Sequence, residues 1–407
     1  MRRRIGTAAV GLAAIAVLAA CGSSSSGSSG SSSAKKTGPF KVALSLSYTG
    51  NDWQNEAANL VKAEAASPPY DSKVKLRVDI AGADVTKQIQ TINNEIAAGV
   101  NAIVVYPISP TALNATIAKA CSRGIVVYAY DSLVTAPCAY NVHIDQYEWG
   151  IKVATWLANY LHGKGDIADI SGVPGTTVDS DRQKALKDVL KKYPGVHVAG
   201  TANGAWAQAQ GKTAFISIQG GHPGLAGVYA EAGCYAITQY LISSNKQVLP
   251  CAGEMSNGHH LYMLSKDVCA KTSVPAASCV HLPSASAGSP VYSGELALIN
   301  AVKILEGQKI AHDIILPLPY FTTDDLDAMG TKAVGTNPAQ GALVFPPSAV
   351  SNPGFFGDFW NPLVEQGLHG ALGGTADKIS DAQSCDQVPG CKTQDKLTFD
   401  STHAGGN

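Results

Sequence analysis

The sequence predicts an α/β protein of two doubly wound lobes, each built on a mostly parallel sheet. Short apolar, β-branched runs recur along the chain with helix-period segments between them. The runs, AIVVY at 102–106 for instance, are apolar on both faces. A strand with one wet face alternates in polarity, whereas one covered by helices on both sides does not. Size agrees: 407 residues, 45 % hydrophobic and 15 % charged, supply a sizeable core and two or three domains.

The folded part begins near Phe40. KVALSLS (41–47) reads as the first strand, and Trp53 to Ala66 as a helix with Trp53, Ala57, Leu60, Val61 and Ala65 near one stripe. KVKLRVDI (73–80) is the next strand, and a helix runs from about Asp84 to Ala98. AIVVY follows, then a helix from Thr111 to Cys121 and the strand GIVVYAYD (124–131), which ends in a carboxylate. A second series repeats the alternation. Its helices are Tyr147 to Leu161, Asp181 to Lys192, about Ala205 to Ile218, and Tyr235 to Ser243. Its strands are DIADISG (166–172), VHVAGT (196–201), LAGVYAE (225–231) and QVLPCAGE (247–254). SGELALINAVKILEGQK (293–309) is an amphipathic helix stopped by Gly307, and IILPL (314–318) is a late strand. Residues 318–407 lose the rhythm. They form either a lobe-capping extension or a loosely ordered tail; the aromatic residues of GALVFPPSAVSNPGFFGDFW (341–360) argue for packing.

Ahead of the folded part, Arg2, Arg3 and Arg4 precede a short apolar run that ends at Cys21 and a Ser/Gly tract. A basic flank, a short apolar core and small residues at the break describe an export signal. The run from Ile5 to Ala20 falls short of the roughly 20 apolar residues of a spanning helix. The box Leu18-Ala19-Ala20-Cys21 resembles that of bacterial lipoproteins. It implies a signal peptide over 1–20, lipid on the Cys21 thiol and a flexible tether over 21–38, holding an exported protein to the outer face of the cell membrane.

The formal charge is -1; without Arg2, Arg3 and Arg4 the balance is 27 basic against 31 acidic residues, or -4. No Lys/Arg-rich block remains, so a nucleic-acid partner has no electrostatic footprint. Besides Cys21, eight cysteines form an even set, which outside the cytoplasm favours disulfides. Sequence does not fix their pairing, but spacing suggests neighbours: Cys121 with Cys138, Cys234 with Cys251, Cys269 with Cys279, and Cys385 with Cys391. No CxxC pair is present and the histidines are not grouped with cysteines, so no metal site is expected.

Several stretches together resemble the ribose-type substrate-binding proteins of ABC sugar importers, the type I periplasmic-binding fold. They are KVALSLSYTGNDWQNEAANLVKAEA, ADVTKQIQTINNEIAAGVNAIVVYPISPTAL, GIVVYAYDS, ADISGVPGTTVDSDRQKAL, LAGVYAEAG and SGELALINAVKILEG, spanning 41 to about 318. The resemblance implies one lobe from 40–143 plus 288–317, another from 144–287, and a hinge of three crossings. Ligand then sits in the cleft between the lobes. That is where open α/β sheets bind ligands, outside the carboxyl ends of their strands.

For the cleft, Trp53 offers an aromatic face for the C–H face of a sugar, and Asp52 a carboxylate beside it. Trp53 packing on the neighbouring helix is the competing reading. Asp131 matches the family's hydroxyl-accepting aspartate, but Ser132 stands where an arginine often follows. Arg182 matches the second-lobe arginine; a surface arginine paired with Asp179 or Asp181 is the alternative. Trp206 falls where the family has an aromatic, at the expected start of a helix. Glu231 and Ala232 replace the usual asparagine and aspartate, Glu254 is a further candidate carboxylate, and the family's glutamine before the return helix is absent, with Gly288 and Tyr292 in that region.

The resulting expectation is a monomeric, non-enzymatic protein that captures a small polyhydroxylated ligand, a carbohydrate first of all, without a cofactor, and delivers it to an ABC permease. Binding or sensing of a non-sugar solute (polyol, nucleoside, autoinducer or aromatic compound) is the alternative. An enzyme lacks support: no G-x-S-x-G elbow, H-E-x-x-H pair or P-loop occurs.

Overall fold

A computed structural model describes residues 38–379 and 382–396. The expected signal peptide, the lipidation site Cys21 and all but the last residue of the tether lie outside the described residues. Thirteen strands are described: β1 Phe40–Leu46, β2 Val74–Ile80, β3 Ala102–Tyr106, β4 Val126–Tyr130, β5 Tyr140–His143, β6 Lys164–Ser171, β7 Gly195–Asn203, β8 Gly227–Ala230, β9 Cys251–Glu254, β10 Ala285–Ala287, β11 Asp313–Ile315, β12 Tyr320–Thr322 and β13 Lys392–Gln394. They form two sheets, ordered β13-β11-β5-β4-β3-β1-β2 and β12-β10-β9-β8-β6-β7. All pairings are parallel except those of β13 with β11 and β12 with β10, at the sheet edges. The two-lobed α/β architecture is therefore the expected one.

The continuous apolar runs have the reason given for them. Along β1, Val42, Leu44 and Leu46 pack into one apolar cluster while Ala43 packs into another; Val104 and Ile103 divide the same way in β3. Both faces of the sheet are covered, and each fully buried Val or Leu contributes about 1.5–3 kcal/mol. Helix Asp52–Ala65 and the return helix Ser293–Leu305 cover one face, through Ala57, Leu60 and Val61 against Leu298, Ile299 and Val302.

Several expectations need correction: the helix expected from Asp181 begins at Thr177 and the one expected from Thr111 begins at Asn114. β5 and β10 were not foreseen, because runs of four and three residues are too short to show a period. β9 starts at Cys251 rather than Gln247, just after Pro250, which has no N–H to donate to a ladder. The helix expected from Ala205 starts at Gln208: Ala205 and Trp206 form a left-handed turn, with φ of +49° and +51°. The late strand IILPL stops at Ile315, and after Pro317 and Pro319 the chain enters the second sheet as β12.

The described residues beyond 318 pack. Phe345, Val350, Phe355, Phe356, Phe359, Leu363 and Val364 are buried in the same cluster as Trp53 and its helix. Asp325 closes a capping box with Thr322 at the start of helix Thr323–Met329. Four disulfides join Cys121 to Cys138, Cys234 to Cys251, Cys269 to Cys279 and Cys385 to Cys391. Among the described residues no helix is long and apolar enough to cross a membrane, and no group of three or more metal-ligating side chains forms.

Candidate ligand-binding cleft

Chain order reverses direction between β1 and β3 in the first sheet and between β6 and β8 in the second. The segments leaving the carboxyl ends of these and the adjacent strands converge on one cavity. The cavity volume is only about 20 Å³. The lobes are thus closed, and side chains nearly fill the space.

The first-lobe wall is aromatic. Asn51 caps helix Asp52–Ala65 by accepting from the Gln54 N–H at 2.8 Å, which fixes the first turn and aims Trp53 inward. The indole lies parallel to Tyr130 at 6.3 Å and tilted against Tyr106 at 5.7 Å; its Nε1 donates to the Ser289 carbonyl at 2.5 Å. Asp131 follows β4 in a left-handed conformation, φ +60°, and is only 4 % exposed. Burial pushes its carboxyl up, against the Ser289 hydroxyl and Arg182, which favour the charge.

The second-lobe wall is charged. Arg182, on helix Thr177–Leu190, is 1 % exposed. Its guanidinium lies 3.8 Å over the Trp149 ring, pairs with Glu254 at 2.6 Å and donates through Nε to Gln146 at 2.9 Å. Glu254 also accepts from the Ser289 N–H at 2.7 Å. Burial nevertheless lifts its carboxyl to about 7; Arg182 only partly offsets the desolvation. Trp206 donates to Glu231 at 2.8 Å and lies so close to Gly172 that a side chain there would overlap the indole. Glu231 also accepts from Gln183 at 3.1 Å, and burial, reinforced by Asp179, raises its carboxyl well above the usual range.

Two residues missed in the sequence join the walls. Gln146 accepts from Arg182 and donates to Asp131 at 3.1 Å and to the Ser289 hydroxyl at 2.9 Å. Ser289 donates its N–H to Glu254 and its hydroxyl to Asp131, and its carbonyl accepts from Trp53. Both sit just past a strand too short to read, β5 and β10, so nothing in the sequence pattern marked them.

Of the seven expected binding residues, Trp53, Asp131, Arg182, Trp206 and Glu254 line the one cavity. Two do not. Asp52 turns away and accepts from Asn352 at 2.9 Å, because the inward position of the first turn belongs to Trp53. Glu231 stands behind Trp206 and is occupied by it. Arg182 is no surface arginine paired with Asp179 or Asp181; its carboxylate partner is Glu254. Asn51, Gln54, Tyr106, Ser289 and Phe356 also line the cavity and were not among the expected binding residues. Gln54 Oε1 and Arg182 Nη2 are buried with no hydrogen-bond partner among the described residues.

Two α/β lobes closed on a polar, aromatic-floored cavity define a solute-binding protein of the two-lobed type. The comparisons agree: the periplasmic binding protein domain matches residues 42–278, over half of the chain, and the chain belongs to that family of substrate-binding proteins, which are not enzymes. It is similar to the xylitol-binding protein of Mycolicibacterium smegmatis, 26 % identical over 63 % of this chain and 71 % of the relative. It is also similar to the ribose import binding protein of Bacillus subtilis, 23 % identical over 70 % and 87 %. Among solved structures, an ABC transporter solute-binding protein from Thermobispora bispora superposes with a TM-score of 0.63 at 22 % identity, over 75 % of this chain and 91 % of that one. A galactofuranose-binding protein gives 0.62 at 17 % identity, over 72 % and 98 %.

Proposed function

We propose that the protein is an extracytoplasmic solute-binding protein that captures a small polyhydroxylated ligand, a sugar or sugar alcohol, between its lobes and delivers it to an ABC importer. The observation that carries this is the pair of unsatisfied groups in the cavity wall, an acceptor at Gln54 and a donor at Arg182, from opposite lobes. Buried polar groups without partners cost about 1–3 kcal/mol each. A hydroxyl both donates and accepts, so a polyol satisfies the two kinds of group with one chemistry. Trp53 supplies the flat apolar face, and Asp131, Glu254 and Trp206 the remaining contacts. Relatives named for binding xylitol, ribose and galactofuranose support the same class.

In this reading the lobes comprise 40–143 plus 288–317 and 144–287, and the protein works as a monomer held to the membrane by lipid on Cys21. The Arg-rich start and the Leu18-Ala19-Ala20-Cys21 box support the anchor. Thermal-shift screening of xylitol, D-ribose, D-arabinose, D-allose and nucleosides, followed by titration calorimetry, tests the ligand class: a sugar or polyol stabilises the protein, and stabilisation by nucleosides alone overturns it. Cys21→Ala releases the protein from the membrane fraction or leaves its precursor uncut; normal anchoring of that variant removes the lipid.

A further inference from the structure

The segment after β12 touches both lobes, and it does so around the cavity. On the second-lobe side, helix Asn257–Met263 holds it: the Asn257 amide donates to the Phe345 carbonyl at 2.8 Å and accepts from the Phe345 N–H at 2.7 Å. The Asn257 and Gly258 N–H groups donate to the Phe355 and Pro353 carbonyls at 2.6 and 2.8 Å. Gly258 is needed for that approach, since a side chain there would overlap Pro353 and Tyr235. On the first-lobe side, Asn352 donates to Asp52 at 2.9 Å, and the Phe356 N–H donates to the buried Glu56 carboxylate at 2.9 Å. Further along, Gln366 donates to Glu64 at 2.6 Å, and the Glu365 and Gln366 N–H groups reach Glu295 at 3.2 and 3.3 Å. Anchors to the two lobes therefore alternate along the strand of chain: 345 to the second, 352 to the first, 353 and 355 to the second, 356 and 365–366 to the first. Phe356, 4 % exposed, lines the ligand cavity beside Trp53 and Ser289.

We propose that residues 345–366 are an interlobe clasp that favours the closed state and inserts Phe356 into the cavity as a determinant of ligand size. The segment lies beyond the matched family domain, which ends at 278. Because its anchors alternate between lobes, separation of the lobes cannot leave all of them intact. An open state loses hydrogen bonds of the clasp as well as contacts across the cleft, and a ligand meets a protein already biased toward closure. The size-selection half rests on the sugar or polyol reading above; the clasp half does not.

Two measurements separate them. Small-angle scattering of the ligand-free full chain is compared for the wild type, Asn257→Ala and Asn352→Ala, with circular dichroism checking the fold. Asn352→Ala removes the exposed contact to Asp52 and the turn bond from the Gly354 N–H, and keeps the test alive should Asn257→Ala fail to fold. The expected result is a larger radius of gyration in every folded variant. An unchanged radius in the folded variants overturns the clasp. Calorimetry with D-ribose and D-allose, which differ by one CH₂OH, then compares the wild type with Phe356→Ala. The ratio of the two affinities is expected to shift at least fivefold toward D-allose; a ratio within twofold of the wild type overturns the role of Phe356. If the wild type binds neither sugar nor any polyol, the ligand reading falls together with the size-selection half, and scattering still decides the clasp.

Discussion

The two walls of the cleft are built from different forces. The first-lobe wall is a stack of rings, Trp53 with Tyr106 and Tyr130, continuous with the apolar core behind it. The second-lobe wall is charged: Arg182 pairs with Glu254, and behind it Glu231 accepts from Trp206 and Gln183. A packed aromatic surface is ready before ligand arrives, and its cost has been met by burial. A lattice of buried charges holds only while each member keeps its partner, so it is where a ligand's hydroxyls compete with the protein's own hydrogen bonds. In the proposed reading, shape comes from the first wall and discrimination from the second.

The sharpest way to break that contrast is Arg182→Ala. It strips Glu254 and Gln146 of their buried partner, and breaking a buried ion pair from one side costs about 3–5 kcal/mol. Urea denaturation should show that loss, along with a tenfold or greater loss of affinity; a change below about 1 kcal/mol would mean that the lattice is wet and adaptable.

Next in size is a pH effect at Glu254 of the charged wall. Glu254 is lifted from 4.5 to about 7, so between these values the folded protein binds a proton that the unfolded chain has released. Stability from this group therefore falls as pH rises from 4.5 through 7, by roughly 3 kcal/mol at most. His259 and His260, held neutral by burial at about 3 and about 4, act oppositely: the unfolded chain takes protons first, and stability falls as pH drops below 6.5. Subtracting the Glu254→Gln profile from that of the wild type cancels the histidines and isolates the carboxyl. A flat difference between pH 4.5 and 7.5 contradicts the assignment.

Trp53→Phe tests the aromatic wall more gently. The stack survives, but the Ser289 carbonyl loses its indole donor, for about 1–2 kcal/mol by chemical denaturation. Ligand-dependent quenching of tryptophan fluorescence should shrink in this variant; full retention would show that Trp53 does not report on the cavity. Smallest is Asn51→Ala, which removes the cap that aims the indole, for about 1 kcal/mol. A thermal midpoint equal to the wild type's would show that core packing alone sets the helix start.

The same contrast explains what could be read in advance. The scaffold was legible because sheets covered on both faces write themselves as apolar runs, and helices between them as a 3.6-residue period. Trp53 and Asp131 were legible because each lies past the carboxyl end of such a run, Asp131 directly and Trp53 in the first turn of the next helix. Gln146 and Ser289 were not, since β5 and β10 are too short to announce themselves and the hydrogen bonds that give these residues their place span 36 and 158 positions. Asp52 misled because adjacent positions on a helix point in different directions, so one candidate's inward position excludes its neighbour. The packing of 341–360 could be suspected from its aromatic residues, but not its partner, because irregular chain carries no period that names the surface it covers.

The disulfides carry a consequence for biogenesis. Their partners lie 17, 17, 10 and 6 residues apart, and each bridge closes before the next cysteine in the chain is reached. A chain threaded out of the cytoplasm amino end first would present Cys121 and then Cys138 to an oxidase with no later thiol yet exposed, and so on down the sequence. Native pairing is then the default outcome of emergence in order, and a shuffling catalyst has little to repair. Refolding of the reduced chain, where these eight thiols compete at once, is the setting in which scrambled bridges should accumulate.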